Sequence, residues 1–292
     1  MGAMFKKQQT KTPENLTITP REVHFDYLAS MQQNRYWHSN DPVITHFFNA
    51  LQATFPEGER FFIESARDTR DAMSKSRLSD KLNDEIQQFI RQEAYHGREH
   101  DAWCEALEQL GYDRMPAYDE ELREMRKWSR KNVSPLTRLS MTAASEHFTA
   151  SIASIFLYQR PELLENADEP FRSLLLYHAL EEVEHKAVCY DLFQQAGGGY
   201  RLRQVGLVLA LMDIMRQVKK RHIYLLKADG LWNRKTRRQA RMLVWGPKGL
   251  VWALLPKTLN YLRPGFHPWE TDERSALLRR FGHYLESAGI PA

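Results

Sequence analysis

The chain has 292 residues, of which 42% are hydrophobic and 27% are charged, and its formal net charge at pH 7 is +4. These values are ordinary for a globular protein with a full hydrophobic core, and so small a charge does not by itself indicate nucleic-acid binding. No apolar run approaches the ~18–20 residues that a membrane-spanning helix needs. The two cysteines, Cys104 and Cys189, argue against a disulfide framework and favour a reducing cytoplasm.

Residues 1–34 are predicted to form an N-terminal extension. The opening Met1-Gly2-Ala3 is typical of a cloning scar, and the first 20 residues are polar. Because a signal peptide needs an apolar segment near its start, we do not expect one here.

The remainder of the chain predicts helices almost throughout. Proline and acidic residues start the apolar-periodic segments, glycines end them, and hairpin signals are absent. We therefore predict an all-α fold. In chain order, the predicted helices cover residues 42–52, 56–73, 80–110, 119–131, 135–159, 170–195 and 202–227.

The predicted C-terminal extension, 229–292, differs in composition from the helices before it. Ten Lys or Arg residues and a single acid, Asp229, occur between Arg216 and Arg241, and an aromatic, apolar stretch follows. One interpretation is a solvated helix face followed by a segment that packs on the helical bundle. The other is a peripheral membrane contact through 216–262, with cations near anionic headgroups and tryptophans at the interface.

Two predicted helices carry the motif Glu-x-x-His, at Glu93…His96 and Glu182…His185. Residues three apart lie on one helical face, so each pair can bind a metal together. Each motif is preceded by a helix with an acid among apolar or small residues, Glu64 and then Glu146. One Glu from each of two helices and one Glu-x-x-His from each of two others is the ligand pattern of a dinuclear metal centre in a four-helix bundle. Four carboxylates would offset the charge of two divalent cations, and this allows their burial.

His178 lies four residues before Glu182, on the same predicted face as His185. It predicts a third imidazole ligand, and a histidine packed in the core is the alternative. The predicted metal ligands are Glu64, Glu93, His96, Glu146, His178, Glu182 and His185. The residues predicted to lie around them are Gln92, Glu181, His100 and Cys189. No catalytic residue is predicted apart from the metal cluster itself.

This constellation resembles the ferritin-like di-iron carboxylate oxygenases, and His178 is similar to the third His ligand of their arylamine N-oxygenase branch. The stretches HSNDPVITHFFNALQATFPEGERFFIESAR and RPGFHPW also resemble a bacterial family described as predicted metal-dependent hydrolases, over about residues 35–285. The resemblance implies a ferritin-like four-helix bundle within residues 35–228, with additional N- and C-terminal helices. The oxygenase branch usually has an acid directly before each metal-binding Glu. Glu181 matches that pattern and Gln92 departs from it, so we expect a weaker orienting contact at His96.

The oxygenase resemblance implies two iron ions, O₂, an external electron donor and a small apolar or aromatic substrate. The alternative is a metal-dependent hydrolase that uses manganese, zinc or iron without redox chemistry, and a third option is metal or oxygen sensing. Carboxylates and imidazoles without thiolates suit iron or manganese and are compatible with zinc. No nucleic-acid partner is expected, and a homodimer is compatible with the sequence.

Overall fold

The computed structural model describes residues 11–73 and 78–291. Within these ranges the regular structure is helical, and the single β-bridge joins His38 to Ala167. The predicted all-α class is therefore confirmed. The proposed cloning scar, Met1-Gly2-Ala3, lies outside the described residues. None of the described helices is long and apolar enough to cross a membrane.

Thirteen α-helices occur in the described residues, together with a 3₁₀ turn at Pro268–Glu270. Most predicted helices agree with them closely, but the predicted helix 170–195 is two helices that break at Lys186 and Ala187. The helices are α1 (Tyr27–Gln33), α2 (Pro42–Gln52), α3 (Phe55–Ala72), α4 (Asp80–Gln109), α5 (Met115–Asn132), α6 (Pro135–Tyr158), α7 (Glu162–Glu165), α8 (Phe171–His185), α9 (Val188–Gln195), α10 (Tyr200–Ala228), α11 (Arg234–Trp245), α12 (Leu250–Tyr261) and α13 (Arg274–Ser287).

Side-chain caps fix where the central helices begin. The side chain of Asp41 accepts a hydrogen bond from the backbone N–H of Val43 at the start of α2. Ser79 caps α4 in the same way, and Ser134 caps α6 in front of Pro135. Such caps satisfy amide groups that the first helical turn leaves without partners, and proline is favoured at the first helical position. The long helices α4 and α6 are therefore held in a defined register.

Four helical segments, α3, α4, α6 and the pair α8–α9, pack against one another as a bundle. Two apolar clusters fill it, one containing Phe55, Trp103 and Ala153, the other containing Phe62 and Phe89. Along α3 and α4, a short polar stretch lies between the residues of these two clusters. The bundle therefore has a polar layer between two apolar layers.

The other helices pack around this bundle. Helix α10 packs along α6 and α2, and Gly206 allows its close approach, because a Cβ atom there would lie 2.5 Å from the backbone oxygen of Ser140. Helix α1 packs on α4, α12 on α6, and α13 on α8. The C-terminal helices therefore cover the bundle, whereas the domain boundaries at 34 and 228 stay predictions.

Candidate metal centre

The polar layer of the bundle is a cluster of glutamates and histidines. Helix α3 contributes one glutamate, α4 a glutamate and two histidines, α6 one glutamate, and α8 a glutamate and two histidines. All of these side chains are buried. The eight residues, called the Glu/His cluster below, are Glu59, Glu93, His96, His100, Glu146, His178, Glu182 and His185.

One half of the Glu/His cluster is rich in carboxylates, which converge on His185. Its Nε2 atom lies 3.0 Å from Oε2 of Glu146 and 3.2 Å from Oε1 of Glu93. Oε2 of Glu182 lies 3.5 Å from the same nitrogen. Three oxygens and one nitrogen from three helices therefore surround one point.

The other half is rich in imidazoles. Oε1 of Glu59 lies 3.2 Å from Nε2 of His100 and 3.9 Å from Nε2 of His178. The ring centroid of His178 is 4.4 Å from that of His96 and 4.9 Å from that of His100. This half therefore combines one dedicated carboxylate with three imidazoles.

Two glutamates belong to both halves. The ligand atoms of Glu59, Glu93 and His96 lie within 4.8 Å of one another, and so do those of Glu93, Glu182 and His185. Glu182 also forms such a group with His96 and His178. Glu93 and Glu182 could therefore contribute to both sites if each half held a cation.

The hydrogen bonding of the Glu/His cluster provides a test of whether cations fit it. Within the part of the chain that the structure describes, both carboxylate oxygens of Glu59, Glu93 and Glu146 make no hydrogen bond, although they are buried. The same holds for both nitrogens of His100. Burying polar groups without partners is strongly unfavourable. Divalent cations would supply the missing partners, so the donor set fits a metal centre.

The ionisation of the Glu/His cluster agrees with this test. Burial raises the pKa of Glu59 to about 8 and raises the pKa of Glu146 well above its ordinary value. Burial alone would lower the pKa of His185, but the carboxylates of Glu146 and Glu182 outweigh it and raise that pKa well above its usual range. The metal-free cluster therefore holds protons at neutral pH, and cations compete with those protons for the same atoms.

The nitrogen of His185 that faces the carboxylates is set by a contact with the other Glu-x-x-His helix. Nδ1–H of His185 donates to Oε1 of Gln92 at 2.8 Å, and Nε2 of Gln92 donates to Oε2 of Glu184 at 3.1 Å. Since an amide oxygen can only accept, Nδ1 of His185 carries a proton. Nε2 is the nitrogen that faces the carboxylates.

His96 has the matching contact in the opposite direction. Its Nε2 atom lies 3.0 Å from Oε2 of Glu181, which precedes the glutamate of the second motif. Its Nδ1 atom faces Oε1 of Glu93 at 3.7 Å. The weaker orienting contact was expected at His96, but Gln92 lies at His185 and Glu181 lies at His96, so each motif orients the histidine of the other helix.

Arg21 supports both of these outer contacts at once. Its Nη1 atom donates to Oε1 of Glu181 at 3.1 Å and to Oε2 of Glu184 at 2.9 Å, and its Nη2 atom donates to Oε1 of Glu184 at 2.9 Å. Its backbone N–H donates to Oε1 of Glu181 at 3.0 Å. The N-terminal segment therefore closes the back of the Glu/His cluster with one buried guanidinium.

Comparison with known proteins identifies the family of the chain. Residues 19–272 match a family model described as predicted metal-dependent hydrolase. The chain belongs to this family. The match covers all eight residues of the Glu/His cluster as well as Arg21, so the family's description and the buried donor set concern the same part of the molecule. No curated protein and no solved structure gives a significant match.

Glu64 lies outside the Glu/His cluster. Its carboxylate pairs with the guanidinium of Arg126 and lies 3.6 Å from Nη1 of Arg130, and its side chain is 18% exposed. Glu64 lies five positions after Glu59, which places the two side chains ~140° apart around the helix. Glu59 therefore holds the position that the sequence analysis assigned to Glu64.

The structure brings together the other six predicted ligands: Glu93, His96, Glu146, His178, Glu182 and His185. His100, which was predicted to lie beside the ligands, is itself part of the donor set. Cys189 is fully buried in an apolar cluster next to the site, and burial raises the pKa of its thiol well above the ordinary value. The assignment of each residue as a ligand stays a proposal.

Three residues were missed by the sequence analysis: Glu59, Glu184 and Arg21. Glu59 had a signal, because Phe62 and Ala66 follow at three and seven residues and share its buried face. Arg21 had none, since 160 residues separate it from Glu181.

Proposed function

We propose that this chain is an enzyme whose Glu/His cluster holds two divalent cations. The observation that carries the proposal is the set of buried carboxylate and imidazole atoms that make no hydrogen bond. One cation would be held in the half formed by Glu93, Glu146, Glu182 and His185. The second would be held by Glu59 and the remaining imidazoles, with Glu93 and Glu182 between the two.

The reaction class that we favour is hydrolysis. The family's description supports it, and so does the imidazole-rich half, because neutral imidazoles with one carboxylate are a donor set found in catalytic zinc sites. When bound, such cations act as Lewis acids and lower the pKa of a coordinated water.

The chain's own residues have defined tasks in this proposal. Gln92 and Glu181 hold the imidazoles of His185 and His96 in one orientation. The hydroxyl of Thr149 donates to Oε2 of Glu182, and Nε2 of His178 lies 2.7 Å from Oε1 of the same carboxylate. The apolar clusters on either side keep bulk water away from these groups, which strengthens their electrostatic interactions.

A small substrate is proposed to approach along the side of His178. His178 is the most accessible member of the cluster, although only 6% of it is exposed. Phe55 packs edge-on against its ring with centroids 5.0 Å apart, and Thr149 lies at the neighbouring Glu182. An aromatic ring and a methyl-bearing hydroxyl favour a substrate with an apolar portion.

Metal analysis combined with turnover tests this proposal. Purified protein is expected to contain up to two divalent cations per chain, and Glu93→Ala is expected to lose both, since Glu93 belongs to both halves. Hydrolysis of a panel of small esters, amides and lactams should disappear after chelation and return with zinc or manganese. Full metal content in Glu93→Ala would refute the metal centre. Full metal content in the parent protein, without hydrolysis of any panel member, would refute only the reaction class.

A second candidate, O₂-dependent oxidation at two irons, is supported by the helical arrangement. One Glu from each of α3 and α6, with a Glu-x-x-His from each of α4 and α8, is the donor pattern of carboxylate-bridged di-iron bundles. This reaction would require an external electron donor. Loading with Fe(II) without oxygen, followed by measurement of O₂ consumption, separates the candidates: consumption that depends on Glu93 favours oxidation.

The proposed location of the chain is the cytoplasm. Cys104 and Cys189 are both unpaired and buried, which supports a reducing compartment.

A further inference from the structure

The segment that follows α10 has an extreme charge composition. Residues 230–269 contain eight Lys or Arg residues and no Asp or Glu. Most of this segment forms α11 and α12, which pack against each other. Of α11, only Thr236 is buried, so nearly the whole helix lies on the surface.

One face of α11 is basic and ends in a tryptophan. Arg234, Arg238, Arg241 and Trp245 follow at spacings of four, three and four residues, which places them on one helical face, and all four are exposed. Among the described residues, no carboxylate lies within 4.0 Å of these three arginines, in contrast to the many paired cations elsewhere on the surface. The face therefore carries cations whose charge is not neutralised within the chain.

Helix α12 has two apolar faces. Ala253 and Tyr261 are buried against the bundle, while Trp252, Leu255 and Leu259 lie on the opposite face and are exposed. Trp252 is 52% exposed and Leu259 57%. Nε1–H of Trp252 donates to the backbone oxygen of Trp245 at 3.2 Å, which holds the start of α12 against the end of α11. The apolar face of α12 is thereby continuous with the basic face of α11.

We propose that this surface, formed by Arg234, Arg238, Arg241, Trp245, Trp252, Leu255 and Leu259 and called the α11–α12 surface below, docks on an anionic phospholipid bilayer. Unpaired arginines are attracted to anionic headgroups, and exposed tryptophans and leucines gain free energy at the boundary between headgroups and acyl chains. A nucleic acid would use the cations but leaves no role for the aliphatic face of α12. The helices lie along the membrane surface in this arrangement and do not enter its core.

Helix α10 offers a comparison, because it exposes apolar side chains beside only two widely spaced cations, Arg201 and Lys219, that have no carboxylate within 4.0 Å among the described residues. Val208, Leu209 and Met212 are exposed on it, and Met212 is 61% exposed. The neighbouring cations Arg216 and Lys220 are both paired with Glu121. If apolar exposure with scattered cations were sufficient for docking, both surfaces would bind; if a cluster of unpaired cations is needed, only the α11–α12 surface binds.

Sedimentation of the full chain with vesicles tests the proposal. Vesicles of phosphatidylcholine alone are compared with vesicles that also contain phosphatidylglycerol, at low and high salt. Binding is expected only to the anionic vesicles and is expected to weaken with salt. Arg238→Glu/Arg241→Glu is expected to lower the partition coefficient on the order of tenfold or more. The control Arg91→Glu/Arg279→Glu makes the same change in net charge at exposed positions of α4 and α13 and should bind nearly as the parent does.

A second pair of variants tests the apolar contribution. Leu259→Ser should weaken vesicle binding severalfold, and Met212→Ser, at similar exposure, should leave it unchanged. Circular dichroism and metal content should match the parent in every variant, so a loss of binding is separate from any failure of the metal centre. Equal binding to neutral vesicles, equal effects of the two charge variants, or tighter binding to duplex DNA than to anionic vesicles overturns the proposal. So does a dimer in gel filtration that Leu259→Ser dissociates, because the surface would then bind a second copy.

Discussion

Oε1 of Gln92 lies 2.8 Å from Nδ1 of His185, although 93 residues separate the two in the chain. The reverse contact, from Glu181 to Nε2 of His96, is 3.0 Å long. The two Glu-x-x-His helices therefore orient each other's histidines. A substitution beside one motif should for this reason change the orientation of the histidine in the other motif.

Replacing Gln92 by leucine should weaken one cation site. The substitution removes the acceptor for Nδ1–H of His185, so the ring is free to turn and its donor nitrogen is no longer fixed. Residues that orient a metal-binding histidine are typically worth ~10–100-fold in metal affinity, and we expect a loss of that size for one of the two cations. Competition with a chromophoric chelator measures it.

Two further variants make that experiment specific. Gln92→Glu keeps an acceptor for Nδ1–H of His185 but puts a carboxylate against Glu184, to which Gln92 donates, so its metal affinity should lie between those of the parent and Gln92→Leu. Gln87→Leu makes the same change at an exposed position of α4 and should have no effect. If Gln92→Leu binds both cations as tightly as Gln87→Leu, the orienting role is refuted.

Glu59 and Glu64 provide a direct test of the ligand assignment on α3. Glu59→Ala removes a buried carboxylate that makes no hydrogen bond, and we expect it to lower the bound metal from two cations towards one. Glu64→Ala removes a partly exposed partner of two arginines, and we expect full metal content and a stability change of about 0–1 kcal/mol. Plasma emission analysis of the two proteins, purified in parallel, is the measurement. The reverse pattern of metal contents would show that Glu64, and not Glu59, is the ligand on α3.

Arg21 should matter for stability as well as for metal binding. Arg21→Gln removes the cation that neutralises the buried carboxylates of Glu181 and Glu184. Breaking a buried ion pair from one side costs about 3–5 kcal/mol of stability. Arg98→Gln is the matched control, because Arg98 also pairs with a glutamate but on an exposed surface, where such pairs are worth about 0–1 kcal/mol. Urea unfolding at saturating metal measures both. Equal losses in the two variants would contradict the role of Arg21.

The stability of the metal-free protein and the stabilisation by added metal should depend on pH in opposite directions. In the metal-free protein, Glu59 has a pKa of about 8, above its unfolded value, so the folded state binds the additional proton between the two values. His185, whose pKa is also raised, acts in the same direction. Burial lowers the pKa of His100, His147 and His222, and these groups act in the opposite direction below the unfolded histidine value of about 6.5. The stability of the metal-free protein should therefore fall as the pH rises from about 6.5 to about 8.

Metal binding displaces those protons, so stabilisation by added zinc or manganese should increase over the same range. Each proton released contributes about 1.4 kcal/mol of apparent binding free energy per pH unit. Thermal unfolding with a chelator and with excess metal, at several pH values, gives the two curves. Curves that run parallel would mean that protons and metal do not share the Glu/His cluster.

The sequence predicts those parts of the site that depend on local spacing. Glu93…His96 and Glu182…His185 are recognisable because residues three apart share a helical face. Glu146 is recognisable because small residues surround it, so that a carboxylate there faces the bundle. For α3, the acid was chosen by its immediate apolar neighbours and not by helical phase, and phase selects Glu59 over Glu64.

Contacts between segments that are distant in the sequence could not be predicted, because they leave no local sequence pattern. Arg21 lies in a non-helical stretch before α1, and nothing near it in the chain indicates that it pairs with Glu181 and Glu184. The crosswise pairing of Gln92 with His185 likewise depends on how α4 lies beside α8, which the spacing within either motif does not specify. The break between α8 and α9 has no proline or glycine to announce it.

His100 and His178 should both contribute to the imidazole-rich half. Burial lowers the pKa of His100 well below its ordinary value, so its ring is neutral at pH 7, and neither of its nitrogens makes a hydrogen bond within the described residues. Nε2 of His178 is next to Oε1 of Glu182 at 2.7 Å, and a cation there would take the place of a shared proton. His100→Ala and His178→Ala should each weaken the second cation by at least ~10-fold, the lower end of what an orienting residue contributes, and leave the cation at His185 bound.

Cobalt substitution distinguishes the two roles, because the visible absorption of Co(II) responds to the number and type of its ligands. Both variants should change the spectrum of the second equivalent of cobalt and leave that of the first unchanged. His24→Ala, at a mostly exposed histidine outside the cluster, should reproduce the parent spectrum for both equivalents. An unchanged spectrum in His178→Ala would make that histidine a packing residue, and an unchanged spectrum in His100→Ala would limit the second cation to Glu59, His96 and His178.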